Sequence, residues 1–185
     1  MILVLIDFDG VIVDTKKNSL DIFVKCLNKL QNCKNLKLIK NLYNKADGLD
    51  LLSISKLLGN FYKTDYLAFY EFFTFEWKKV YKDISLKKNV LEFFDFINNL
   101  DAKIVIFSSS NFEIINKILK NKLKKFDFIK KEFDKKSSLS KNTINKLKNL
   151  QQITENFINI DDNMLINEQL SKINFISIHY EINKT

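Results

Sequence analysis

The chain of 185 residues has no proline, no arginine, only three glycines, two cysteines and one histidine. With proline absent and glycine this rare, no Gly/Pro/Ser-rich linker marks an internal boundary. Cys26 and Cys33, seven positions apart, are too few for a disulfide framework, and two free thiols in a reducing cytoplasm are expected. No apolar run approaches the roughly 20 residues that cross a bilayer, so no membrane partner is expected. The apolar run at the N-terminus has no basic stretch before it and meets two aspartates at once, which argues against a signal peptide. All 30 basic residues are lysines, and the net charge of +8 raises the question of nucleic acid. Those lysines are scattered, and without an arginine fork there is no bidentate grip on phosphate or guanine. The bias towards Lys, Asn, Ile and Phe fits an AT-rich coding sequence, so no nucleic-acid partner is expected. His179, the sole histidine, follows the last apolar segment and is assigned no catalytic role.

Apolar material is abundant. Hydrophobic residues make up 46% of the chain and include 17 phenylalanines, enough for one domain with a modest insertion. The informative stretch is Ile2–Asp14. Five apolar residues, Ile2 to Ile6, suit a strand buried on both faces. Asp7 and Asp9 follow, separated by Phe8 and closed by Gly10, which lets the backbone turn sharply. In an extended or loosely coiled segment alternate residues share a face, so both carboxylates can point into one small space. Two carboxylates that close repel each other unless a cation neutralises them. The carboxyl end of a parallel strand is also where open α/β sheets bind ligands.

The pattern Asp-x-Asp-Gly-Val-x-x-Asp behind an apolar strand resembles the first motif of the haloacid dehalogenase (HAD) superfamily, and specifically its aspartate-dependent phosphatases. The resemblance implies an α/β fold: a Rossmann-like parallel sheet over residues 1–14 and 85–185, with an all-helical cap of the C1 type inserted at 15–84. The residues agree with that division. Leu20, Phe23, Val24, Leu27 and Leu30 have helical spacing, as do Leu36, Leu38, Ile39, Leu42 and Tyr43. Leu51 to Leu58 suggest a third helix, expected to stop near Gly59. Tyr66, Phe69, Tyr70, Phe73, Trp77 and Val80 form an aromatic stripe read as packing. Gly48, ahead of Leu51-Leu52, resembles the loop with which such caps sample substrate.

A helix over Asn89–Leu100 leads to a second strand, Ala102–Phe107, which ends in Ser108-Ser109-Ser110-Asn111. These residues can cap the next helix, Phe112–Leu123, or bind phosphate at its N-terminus, since both uses share one geometry. Ser108 resembles the second HAD motif. Further strands are expected at Phe126–Ile129, Phe157–Ile160 and Asn174–Ile178, with a helix carrying Ile144, Leu147 and Leu150 between the first two of these. The family's third motif is a lysine at the start of that helix. Lys141 is the choice, with Lys135 and Lys136 as rivals. Asp161-Asp162 resembles the fourth motif, although the usual later aspartate is replaced by Ile166 or Asn167. Which of the two acids leads is open, and so is the alternative that they merely cap a helix.

The resemblance further implies a Mg²⁺-dependent hydrolase of a small phosphorylated metabolite, a monomer or weak dimer in the cytoplasm. Asp7 would be the nucleophile, forming an aspartyl phosphate, and Asp9 the general acid and base. Ser108, Ser109 and Lys141 would bind phosphate, with Lys141 also serving the chemistry. Asp7, Asp9, Asp161 and Asp162 would hold the metal. Asp9 disfavours dehalogenation, because haloacid dehalogenases lack an acid at that position. A β-phosphoglucomutase-like phosphomutase shares the motifs, and the lack of arginine for a second phosphate favours the phosphatase. A catalytically silent binding protein is the remaining alternative.

Overall fold

The computed structural model describes residues 2–46, 48–100, 102–120, 127–130, 139–152 and 156–179. The chain forms two compact units, one of Met1–Asp14 with Ser85–Thr185 and one of Thr15–Ile84.

The first unit is built on β1 (Ile2–Ile6). Leu3, Val4, Leu5 and Ile6 are all buried, as a strand covered on both faces requires. β2 (Ala102–Ser108) pairs parallel to it on one side, Ile2 opposite Ala102. β4 (Asn156–Asp161) pairs parallel on the other side, Ile2 opposite Asn156. β3 (Asp127–Lys130) and β5 (Ile176–His179) form the edges, giving the parallel order β3-β2-β1-β4-β5. The helices of this unit are α5 (Val90–Asn99), α6 (Phe112–Leu119), α7 (Lys141–Gln151) and α8 (Met164–Ser171).

Strand periodicity sends Leu3, Leu5, Val105 and Phe107 to one face. There they join Leu147 of α7 and Ile166 and Leu170 of α8 in one core cluster. From β1 the chain steps outward through β2 to β3, then returns to place β4 on the opposite side of β1. That reversal opens a crevice at the carboxyl ends of β1 and β4.

The second unit contains α1 (Lys16–Gln31), α2 (Leu36–Ala46), α3 (Leu51–Tyr62) and α4 (Tyr66–Asp83). Asp50 and Asp65 start the last two, their carboxylates accepting from the amides of Ser53 and Leu67 at 3.0 Å. Its core gathers Phe23, Cys26 and Leu27 of α1, Ile39 and Leu42 of α2, Leu58 of α3, and Phe69 and Phe73 of α4. Trp77 and Val80 pack against that cluster, whereas Tyr70 lies outside it, 38% exposed.

Gly59 does not stop α3, which runs on to Tyr62. A Cβ at Gly59 would stand 2.9 Å from Cβ of Tyr66 and 3.0 Å from the Thr64 carbonyl oxygen. The glycine lets the start of α4 approach. The actual stop is Lys63 at φ +54°, whose amide bonds the Gly59 carbonyl. The helix begun at Phe112 closes at Leu119 with Lys120 as its C-cap, and residues 121–123 of its expected range lie outside the described residues.

Candidate active site

Asp7 follows β1 directly, and its amide continues the sheet by bonding the Ile160 carbonyl of β4 at 2.9 Å. The side chain is 6% exposed, and Oδ1 accepts from the Phe8 amide at 2.8 Å. Beyond this point the chain is not extended. Phe8 is fully buried, and its carbonyl accepts from the amides of Ile12 and Val13 at 2.9 and 3.0 Å. The Gly10 amide bonds the Val13 carbonyl at 2.8 Å, closing the loop on itself. Gly10 adopts φ +80°, in the left-handed region.

The same glycine leaves room for the other acidic strand end. A Cβ on Gly10 would lie 2.3 Å from Oδ2 of Asp162. Asp161, the last residue of β4, is fully buried. Its Oδ1 accepts from the Asn163 amide at 2.8 Å, and its carbonyl accepts from Nδ2 of Asn167 at 3.0 Å. Asn167 in turn accepts from Nδ2 of Asn159 at 2.6 Å. The helix cap here is Asn163, whose Oδ1 accepts from Leu165 and Ile166. Neither acid is that cap.

Asp7, Asp161 and Asp162 each offer a carboxylate oxygen, and these three oxygens lie within 4.8 Å of one another. Oxygen-only donors of full negative charge suit a hard divalent cation rather than a thiophilic metal. At an effective dielectric near 20, two charges about 4 Å apart repel by about 4 kcal/mol. Such an acidic group fits a bound cation better than an empty one.

The expectation that Asp9 joins the metal group differs from this arrangement. The group contains Asp7, Asp161 and Asp162, while the half-buried Asp9 carboxylate accepts from the hydroxyl of Ser110. The physical reason is the closed loop after Phe8, which ends the strand alternation that would have aimed both acids alike.

Ser108 closes β2 at 1% exposure, and its Oγ accepts from the Ser110 amide at 3.2 Å. Ser109 is half-buried beside it. The cap of α6 is Asn111, which accepts from the Glu113 amide at 2.7 Å, so none of the three serines is that cap. Lys141 is the exposed first residue of α7, after the Ser140 cap. Among the described residues no hydrogen bond or ion pair joins it to the acidic group. Lys135 and Lys136 lie outside the described residues.

Three residues at this site escaped the sequence reading. Ser110 was visible only as one of three serines. Asn167 was noted only as a position where the usual later aspartate is missing, and its hydrogen bonds to the Asp161 carbonyl and to Asn159 were not foreseen. Lys87, whose ammonium donates to the Gly10 carbonyl, carried none in a chain with 30 lysines.

No protein-family model matches the chain, and no curated protein does. Solved structures do. A HAD hydrolase, family IA, variant 3, from Entamoeba histolytica superposes with a TM-score of 0.73 at 14% identity, covering 100% of this chain and 86% of the other. β-Phosphoglucomutase from Clostridium difficile gives a TM-score of 0.70 at 18% identity over 98% of this chain and 86% of its own. A hydrolase from Pseudomonas syringae gives 0.68 at 12% identity over 98% and 88%. At these identities the likeness is one of fold.

Proposed function

We propose that this chain, whose fold is that of the HAD hydrolases, is a Mg²⁺-dependent phosphatase acting on a small-molecule phosphate monoester. The observation that carries the reading is the convergence of Asp7, Asp161 and Asp162 at the carboxyl ends of β1 and β4. These three would hold the cation, which when bound supplies positive charge against the carboxylates and the substrate phosphate.

The remaining roles belong to the chain's own residues. Asp7 attacks phosphorus, so that a carboxylate O–P bond forms as the ester P–O bond breaks. Asp9 gives its proton to the departing oxygen, then takes a proton from the water that attacks the aspartyl phosphate, and Asp7 is released. The hydrogen bond from Ser110 orients the Asp9 carboxylate for both steps. Ser108, Ser109 and nearby amides hold the phosphate oxygens, and Lys141 is the candidate cation from α7. The helical unit 15–84 serves as a cap that selects the leaving group, and the protein works as a monomer or weak dimer in the cytoplasm.

A phosphomutase reading stays in second place, favoured by the fold shared with β-phosphoglucomutase. A mutase must grip a second phosphate, and this chain has no arginine for that purpose. The test is a panel of phosphorylated metabolites assayed for released phosphate, with Mg²⁺ and after chelation. Phosphate release that disappears on chelation supports the phosphatase. Transfer to a second sugar hydroxyl without release supports the mutase, and no turnover with any substrate supports a silent binding protein.

A further inference from the structure

We propose that Lys87 is a positioning residue of this site: it fixes the Gly10 peptide and sets a positive charge against the Asp7–Asp161–Asp162 group. The inference rests on the reading of that group as a cation-binding, phosphoryl-transfer site, and it names a lysine that no motif assigns.

Lys87 lies just after the chain returns to the sheet, three residues ahead of α5. It holds the loop after β1 twice. Its amide bonds the Ile12 carbonyl at 2.9 Å, and its ammonium donates to the carbonyl of Gly10. Beside it, Leu86 pairs antiparallel with Val13. The side chain is half-buried, so its stem is covered while the head is directed at the loop. Fixing a lysine in this way costs rotamer entropy. Any neutral donor would satisfy one carbonyl. An ammonium adds a full charge.

The position of that charge gives it a role. Gly10 touches both partners: its carbonyl receives the ammonium, and the space of its missing Cβ is filled by Oδ2 of Asp162. Two groups in contact with one glycine stand closer than a Debye length of about 8–10 Å, so salt screens them only partly. The loop and strand ends bring the Asp7, Asp161 and Asp162 carboxylates together, and Lys87 is the lysine that the described residues show bonded to that loop. Its positive charge opposes a second cation and favours a phosphate dianion. Removing it must therefore strengthen metal binding while weakening catalysis. A role confined to packing gives the opposite sign for the metal, because a loosened loop misplaces Asp7 and Asp162.

The test compares the full chain with its Lys87→Met and Lys87→Arg variants. Mg²⁺ alone is titrated calorimetrically, p-nitrophenyl phosphate hydrolysis gives kcat and KM, and thermal unfolding checks the fold. For Lys87→Met we expect Mg²⁺ binding tightened about threefold or more and kcat lowered about tenfold. Lys87→Arg, which keeps the charge and a donor, is expected to restore both. Unchanged or weakened Mg²⁺ affinity in a folded Lys87→Met variant overturns the proposal, as does unchanged kcat. If the parent chain binds Mg²⁺ but hydrolyses nothing, the proposed reaction fails and the affinity shift alone decides for or against Lys87. A parent chain that binds no Mg²⁺ overturns both.

Discussion

Replacing Gly10 by alanine separates two costs that the structure places at one atom. The first is conformational. At φ +80° an L-residue sits in the left-handed region, at about 1–2 kcal/mol relative to its preferred backbone. For a chain of this size each kcal/mol lowers the melting temperature by about 2–4 °C, so a fall of about 2–8 °C is expected. The second cost is steric. The new Cβ would stand 2.3 Å from Oδ2 of Asp162, well inside contact distance. That oxygen ends a side chain that can rotate, so the clash is relieved by displacing Asp162 rather than by unfolding the sheet. One of three candidate ligands then leaves the group, and Mg²⁺ affinity should fall by about 10–100-fold. Circular dichroism melts and calorimetric Mg²⁺ titration measure the two effects on the same protein, with Asp162→Asn as reference. A Gly10→Ala variant that keeps parental Mg²⁺ affinity would refute the placement of Asp162 against Gly10.

Other perturbations test the frame around the site. Asn167→Leu removes the hydrogen bonds to the Asp161 carbonyl and to Asn159, leaving buried polar groups unpaired, and should cost about 2–3 kcal/mol in urea unfolding. Stability equal to the parent would show that this buried amide pair contributes little. Gly59→Ala should destabilise the helical unit by about 1 kcal/mol net: overpacking against the Thr64 carbonyl and Tyr66 costs about 1–3 kcal/mol, and the better helix propensity of alanine returns up to about 1. A gain in stability would contradict the close approach. Burial pushes the Cys26 thiol up from 9.0 to about 12. Because the folded state resists ionisation, this contribution is complete below pH 9 and is lost as pH rises from there towards 12. Denaturant midpoints followed across that range should fall more for the parent than for Cys26→Ala, and parallel curves would refute the assignment.

The parts of this fold that could be read from the sequence are those set by local pattern. β1 was legible because five consecutive apolar residues are too short for a helix and suit a doubly covered strand. The two acids at the end of β4 were legible because they follow a short apolar run and resemble the fourth HAD motif, and the pairing of β4 with β1 sets them beside Asp7. What could not be read depends on partners distant in the chain. The hydroxyl that bonds Asp9 comes from Ser110, 101 positions away, and the ammonium on Gly10 comes from Lys87, 77 positions away. Neither serine nor lysine was distinctive in its own neighbourhood. The course of the chain after Asp7 was hard to read for a related reason. Hydrogen bonds from Ile12 and Val13 back to Phe8 outweigh the extended conformation that the preceding strand suggests. Gly59 was read as a helix stop by its local preference, whereas packing against α4 explains its presence within the helix.

In the proposed reaction Asp7 is the nucleophile, beside a cation that the acidic strand ends would hold. The direct measurement is mass spectrometry of peptides from the acid-quenched protein after brief mixing with p-nitrophenyl phosphate and Mg²⁺. The expected result is a phosphoryl group on Asp7, absent after chelation and absent in Asp7→Asn, which also hydrolyses the ester at least a thousandfold more slowly. Hydrolysis that proceeds with no adduct on Asp7, or at the parental rate in Asp7→Asn, would contradict it.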